Sequence, residues 1–299
     1  MNKIKKIHNT INSLKVIPYV FVLPFIITFL LFFLYPIISA IIMSFQDIAG
    51  FGDVTFVGFK NYRNLLNPHY YNALRVSFSY TFLTIAILIP VPLVLAVLLN
   101  NKDLPGRNIF RSSLFMPALT SVIVGGMFFR FAFGTQPTAL FNHIIGWFGL
   151  EPVVWLQGKW TGMLAMVILC VWRWTGVNIV YFLAGLQGIP NELYESADID
   201  GANGLQKFFH ITVPSLKPVI IFVTTISVFG GFSMFAESFA YWTSRSPGDI
   251  GLTLVAYIYQ TGFNYNNFGF AAAIGITLLV IIMTVNLIQL KIFGFFKED

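Results

Sequence analysis

Charged residues are scarce: Asp, Glu, Lys and Arg together make up 10% of the chain, hydrophobic residues 57%, and the mean hydropathy is +0.76. A soluble domain carries about 25% charged residues, so this composition excludes one and predicts an all-α integral membrane protein. Cysteine is reduced to Cys170, which rules out an internal disulfide; within its apolar run it reads as a small buried residue. The four histidines, His8, His69, His143 and His210, have neither metal-ligand spacing nor a neighbouring nucleophile, so no metal site and no catalytic residue is assigned. A phosphate-binding glycine loop is missing too, because the one Gly-Lys pair, Gly158-Lys159, lacks the required preceding glycine. The chain therefore does not hydrolyse ATP and is read as a non-enzyme. Its net charge of +6 is scattered between apolar blocks instead of gathered in a patch, which argues for membrane topology and against nucleic acid. No short apolar stretch with a cleavage site opens the sequence, so the first block is expected to stay as a membrane anchor.

Six apolar blocks are present, each near the roughly 20 residues that a bilayer core requires. They cover about 16–45, 76–99, 112–133, 160–184, 218–240 and 268–291. Pro18, Pro24 and Pro36 predict a tilted or kinked first span, since each removes a backbone donor. With the N-terminus inside, eleven basic residues fall on the inner side: Lys3, Lys5, Lys6, Lys15, Lys102, Arg107, Arg111, Lys207, Lys217, Lys291 and Lys297. Five, Lys60, Arg63, Arg75, Lys159 and Arg245, fall outside, while Arg130 and Arg173 lie within spans. The excess predicts a multi-pass membrane protein with both termini cytoplasmic, a tail over 1–15 and a membrane domain over 16–299. Trp147, Trp155, Trp160, Tyr241 and Trp242 fall near the outer boundary, where anchoring is their default role. Ala271 and Gly275 offer a small-residue face for helix packing.

The stretch "ELYESADIDGANGLQKFFHITVP", residues 192–214, interrupts this pattern on the predicted cytoplasmic side. Asn191 suits an N-cap, Glu192, Glu195 and Asp198 recur every third residue, Asp200-Gly201 supplies a turn, and Asn203 can cap again. Leu205, Phe208 and Phe209 form an apolar stripe, and Pro214 is expected to stop the second helix. The physical features alone leave two readings open, a solvated corner lying on the membrane surface or a docking element for another subunit.

Here the order Glu195-Ser196-Ala197, Asp200-Gly201-Ala202, Gln206, Phe209 and Ile211-Thr212-Val213-Pro214 resembles the cytoplasmic loop of ATP-binding-cassette importer permeases. In that family the pattern runs Glu-Ala-Ala, Asp-Gly-Ala, Ile-Thr-Leu-Pro, so Ser196 and Val213 are the departures. The flanks "AGLQGIP" and "PSLKP" extend the likeness. It is similar to the first, maltose-type sugar permease, and "LIPVPLVLAVLLN" and "FMPALTS" resemble arabinose-oligosaccharide permeases of Gram-positive bacteria. The resemblance implies six transmembrane helices of the type I importer permease kind, with a coupling loop at about 190–214. It further implies a second homologous permease, an extracytoplasmic sugar-binding protein and two cytoplasmic ATPase subunits that bind the ATP and Mg. Glu195 would meet a basic groove on the ATPase, Gly201 would allow the turn, and Phe208 and Phe209 would dock, with Ala197, Asp200, Ala202, Gln206 and Pro214 completing the element.

For the solute path, the polar run "WRWTGVN" offers Trp172, Arg173 and Trp174 inside a span. These could face sugar, or Arg173 could pair with a carboxylate while the tryptophans pack. By position, the maltose-type likeness adds Ser227, Gly230, Gly231 and Met234, and Glu237 near the end of the fifth block could bind a hydroxyl, pair with an arginine or face water. An ion-coupled secondary transporter is the alternative; it would use buried ionisable groups and repeat symmetry, and only Arg130, Arg173 and Glu237 fall in or near spans, with no repeat. An intramembrane enzyme would need a nucleophile with its base or a metal cluster, and neither is visible.

Overall fold

The computed structural model describes residues 17–295 apart from Ala49, Phe51, Asp53, Lys102 and Ser244. The expected tail 1–15, with its four lysines and His8, lies outside the described residues, as do Lys102 and Lys297. In chain order the helices are α1 (Ile17–Ser44), α2 (Lys60–Asn64), α3 (Pro68–Asn100), α4 (Arg107–Leu119), α5 (Val122–Ala132), α6 (Leu140–Gly146) and α7 (Lys159–Leu186). They continue with α8 (Asn191–Ile199), α9 (Gly204–Ser215), α10 (Lys217–Phe232), α11 (Ala236–Tyr241), α12 (Leu254–Tyr259) and α13 (Phe268–Ile292). One short antiparallel pair, β1 (Gln46–Asp47) with β2 (Thr55–Phe56), follows α1. Helix dominates because backbone in hydrocarbon must satisfy its own polar groups.

Four helices, α1, α3, α7 and α13, are long and apolar enough to cross a membrane, and the bent pairs α4–α5 and α9–α10 bring the passes to six if each pair is one span. The third expected span is therefore not a straight helix: α4 and α5 meet at 97°, where Thr120 and Ser121 are extended. The fifth is shorter than 218–240, because α10 ends at Phe232 and the chain turns at Ser233 before α11 restarts it. The second begins earlier than residue 76, since Asn67 caps α3 by accepting from the Tyr70 N–H at 2.9 Å and Pro68 occupies the first turn.

The chain forms two compact units, one of residues 1–65 with 261–276 and one of 66–260 with 277–299. In the first, α1 is apolar on all sides, as suits a helix surrounded by lipid, and Phe25, Phe29 and Phe33 stack one turn apart with ring centroids 6.4 and 6.0 Å apart. The prolines do not break it; a π-helical turn at Leu30–Leu34 lies between Pro24 and Pro36. Buried Asn61 closes its end by donating to the Ser44 and Gln46 carbonyls at 3.0 and 2.8 Å.

In the second unit α3, α7 and α10 pack around two apolar clusters, one built on Tyr80, Phe133, Met166 and Leu169, the other on Leu93, Phe182, Leu186 and Leu216. The prolines of "IPVP" decide how α3 and α7 meet. Pro92 has no N–H to donate to the Leu88 carbonyl one turn before it, and a bare carbonyl in a membrane costs several kcal/mol, roughly. Buried Asn178 of α7 donates its amide to that carbonyl at 2.9 Å. On the same helix Gly176 lies against the backbone of α4, where a Cβ would overlap the Leu114 carbonyl.

Candidate functional site

A cavity of about 260 Å³ opens in the second unit. On α3 it is lined by Tyr80, Thr84 and Leu88, one turn apart, and on α7 by Cys170, Trp174, Asn178 and Tyr181, so each helix presents one face to it. Ser227, Gly230 and Gly231 of α10 line a third side, and Met234 and Glu237 line the break between α10 and α11. Irregular backbone at membrane depth is tolerated where it borders a cavity of this kind. The lining is mixed: hydroxyls and amides from Tyr80, Thr84, Asn178, Tyr181 and Ser227 alternate with Leu88, Ile226, Met234 and Phe235. Asn178 spends its amide on Leu88, and its Oδ1 has no hydrogen-bond partner among the described residues.

Of the path residues expected from sequence, Trp174, Ser227, Gly230, Gly231, Met234 and Glu237 come together here. Trp172 does not. Two residues along a helix turn the side chain through about 200°, so Trp172 points away from Trp174 and packs edge-on against Phe129 at 5.3 Å in the apolar core. Arg173 is not in the lining either. Its Nη1 reaches Glu237 Oε1 at 3.4 Å with side chains 17% and 9% exposed, and its guanidinium lies 5.8 Å from the Trp174 ring. Of the three roles open to Glu237 at the sequence level, pairing with an arginine is therefore the one the structure shows. Sequence reasoning missed Tyr80, Thr84, Asn178 and Tyr181. The signal for Asn178 was available in "WRWTGVN", and for Tyr80 and Thr84 in their spacing of four.

At the other end of α7 the segment 190–214 folds as helix, turn, helix. Gly201 sits between α8 and α9 at φ +75°, a left-handed conformation that a side chain disfavours. Asn203 and Gln206 form a reciprocal capping box that starts α9, as expected of Asn203, so Gln206 is occupied within the chain. Asn191 is not the cap expected: Pro190 takes that position and no side chain caps α8. Pro214 sits in the last turn of α9, which passes through a π-helical stretch, ends one residue beyond it at Ser215 and then turns by 68° into α10 at Leu216. The expected stripe divides. Phe208 turns inward and, like Tyr194, Ile211 and Val213, packs against the apolar cluster of Leu93, Phe182, Leu186 and Leu216, whereas Leu205 and Phe209 stay exposed. Ile199, unremarked in the sequence, is the barest apolar side chain of the segment at 88% exposed. Glu195, Asp200 and Gly201 are exposed beside it, and Ala197 and Ala202 are half-buried. The two helices are held together by the hydrogen-bonded hydroxyls of Tyr194 and Thr212, 2.9 Å apart, and by the Lys207–Asp198 ion pair.

At the end of the spans away from this segment, Trp147 and Trp160 are exposed, as an aromatic belt requires, whereas Trp155, Tyr241 and Trp242 make internal hydrogen bonds around two polar hubs. Asn142 accepts from the Trp155 indole at 2.8 Å and from the Val153 N–H at 3.0 Å. Tyr241 is buried, donating to the Ala165 carbonyl at 3.0 Å, and the Trp242 indole donates to Leu156; neither is a free anchor. Asp249 accepts from Arg245 at 2.7 and 3.0 Å and meets His69 Nδ1 at 2.6 Å, while its carbonyl accepts from Asn72. The hydrogen bonds from Arg245, with those of His69, hold the Asp249 carboxyl below the ordinary carboxylate range. A depressed folded value means that this clamp contributes in full above an ordinary carboxylate pKa of about 3.9 and is lost as pH falls through the lower folded value. Trp242 fluorescence should accordingly change at a pH below about 3.9 in the native chain, and Asp249→Ala should show the loosened signal already at neutral pH. A pH-independent Trp242 signal identical in both would contradict the clamp.

A family model described as the binding-protein-dependent transport system inner membrane component matches residues 70–292. The chain is 57% identical over 287 residues to the arabinooligosaccharides transport system permease protein AraP of Bacillus subtilis (strain 168), covering 96% of this chain and 91% of that protein. It is 53% identical to the protein of the same name from Halalkalibacterium halodurans, covering 99% and 93%. Its fold matches a chain in the crystal structure of a bacterial ABC transporter involved in the import of the acidic polysaccharide alginate, with a TM-score of 0.83, 22% identity and coverage of 98% and 100%.

Proposed function

The chain belongs to the family of binding-protein-dependent transport system inner membrane components, and from that premise we propose that it is the permease subunit of an ATP-driven importer, forming half of the path for a neutral sugar of the arabino-oligosaccharide kind. The permease does no chemistry of its own. A second homologous permease completes the path, an extracytoplasmic binding protein delivers the sugar, and two cytoplasmic ATPase subunits bind ATP and Mg. We read residues 16–299 as the membrane domain with both termini and the 190–214 loop on the cytoplasmic side, a reading supported by the excess of basic residues on that side.

The observation that carries the proposal is the pairing of an exposed docking element at one end of α7 with a cavity along the same helix. Glu195, Ile199, Leu205 and Phe209 are presented to a partner, while the Tyr194–Thr212 contact and the Lys207–Asp198 pair make α8 and α9 move as one body. The 68° bend then joins that body directly to α10, whose far end lines the cavity. In the cavity, hydroxyl and amide groups suit sugar hydroxyls and Trp174 suits a sugar face. The lining holds the Arg173-paired Glu237 and no cation to attract a uronate, which favours a neutral saccharide.

The test is ATPase activity of the assembled complex in lipid nanodiscs, stimulated by binding protein loaded with arabino-oligosaccharide. A Cβ at Gly201 would have nothing within 4 Å, so Gly201→Val acts only through its positive φ. That strain is roughly 1–2 kcal/mol, and stimulation should fall about tenfold while the amount of assembled complex holds. Glu195→Ala should lower it in the same assay. Unchanged stimulation in both variants would remove the coupling role, and absence of any associated ATPase would remove the importer reading.

A further inference from the structure

A second, smaller depression lies at the end of α7 away from α8, between α7 and α3. Arg75 and Ser79 of α3 face Lys159, Trp160 and Met163 of α7 across it, and no carboxylate is in its lining. Arg75 and Lys159 have no ion pair or hydrogen-bonded side-chain partner among the described residues, in contrast to Arg173, Arg245 and Lys207, which all have carboxylates. Both cations line one depression that holds no carboxylate, and an anion seated in it would interact favourably with each. The uncapped start of α7 at Gly158 adds a partial positive charge of the same sign.

Depth identifies the anion. The 28 residues of α7 extend over about 42 Å, against a hydrocarbon core of about 30 Å, so about 6 Å of helix stands in the headgroup layer at each end. Lys159 and Trp160 are then at phosphate level and Met163, one turn deeper, at the edge of the hydrocarbon. The depression therefore runs from two cations and a 66% exposed indole down to an apolar floor of Met163 and Val76. A lipid matches that polarity order from headgroup to acyl chain, and a free anion matches only its upper part. We propose that Arg75, Lys159 and Trp160 form a binding site for an anionic phospholipid, with the phosphate between the two cations and the glycerol and acyl chain against Met163.

The complex, reconstituted in equal phosphatidylglycerol and phosphatidylcholine, is extracted in detergent and its retained lipid measured by mass spectrometry. Each cation near an anionic lipid surface is worth roughly a fivefold preference, so Arg75→Gln with Lys159→Gln should lower the phosphatidylglycerol preference about thirtyfold. Lys159→Arg should keep it. Arg130→Gln, which removes an exposed cation outside the depression, should leave it unchanged. Equal retention in the native and double-glutamine chains overturns the proposal. So does release of the lipid preference by excess inorganic phosphate, which would mark a free-anion site. Carbodiimide coupling of Lys159 to a carboxylate of another subunit as the main product would assign the cations to a protein partner and equally overturn it.

Discussion

Glu237→Ala should destabilise the folded permease by about 3 kcal/mol and abolish transport, because it strands the Arg173 guanidinium among apolar side chains. Buried ion pairs are costly to halve and inexpensive to replace whole, so Arg173→Met combined with Glu237→Leu should return the melting temperature of the complex to near its native value. The cycle separates two contributions. If the pair only holds α11 to α7, the neutral double variant also transports; if the pair must open and close as solute passes, the double variant is stable and slow. A Glu237→Ala chain as stable as the native one would show that the pair is not the anchor its geometry indicates. The Arg173 Nε, buried without a hydrogen-bond partner, makes the remaining contact with Glu237 more consequential.

Gly230→Leu and Gly231→Leu, adjacent in α10, should fail for opposite reasons. A Cβ at Gly230 has nothing within 4 Å and stands at the cavity wall, so leucine there fills the cavity: the complex assembles with native thermal stability and transport is lost. A Cβ at Gly231 would lie 2.8 Å from Thr81 Cγ2 and 3.0 Å from its Cα, a contact with buried α3 backbone that no rotamer relieves. Leucine there should cost several kcal/mol, roughly, and reduce the amount of assembled complex in the membrane. Alkylation of the lone Cys170, which lines the same cavity, reports the difference directly: it should be slowed in Gly230→Leu and accelerated in the loosened Gly231→Leu. Full transport by Gly230→Leu would separate the cavity from the sugar path.

Much of this was legible in the residues. The six apolar blocks follow from the price of unpaired backbone in hydrocarbon, which makes long helices the solution wherever about 20 apolar residues run together. The helix, turn, helix at 190–214 was legible because its determinants are local: a positive φ at Gly201 and the Asn203–Gln206 box are decided within four residues. The end of α9 is local as well, one residue beyond Pro214, whereas the start of α8 departs from the local rule, with Pro190 in the cap position in place of Asn191.

Sequence alone therefore determined that the chain is a membrane protein built of helices, that a polar helix, turn, helix interrupts the spans at 190–214, and which stretch of α7 is polar. Tertiary structure decided which side of that stretch matters: Trp174 lines the cavity and Trp172 the core, because the difference is one of rotation about α7 and only the neighbouring helices define the origin of that rotation. The partners of Leu88, Arg173 and Asp249 lie 90, 64 and 180 residues away at Asn178, Glu237 and His69. Pairings over such separations are selected by packing, since satisfying a buried carbonyl or charge depends on what the fold brings within about 3 Å of it.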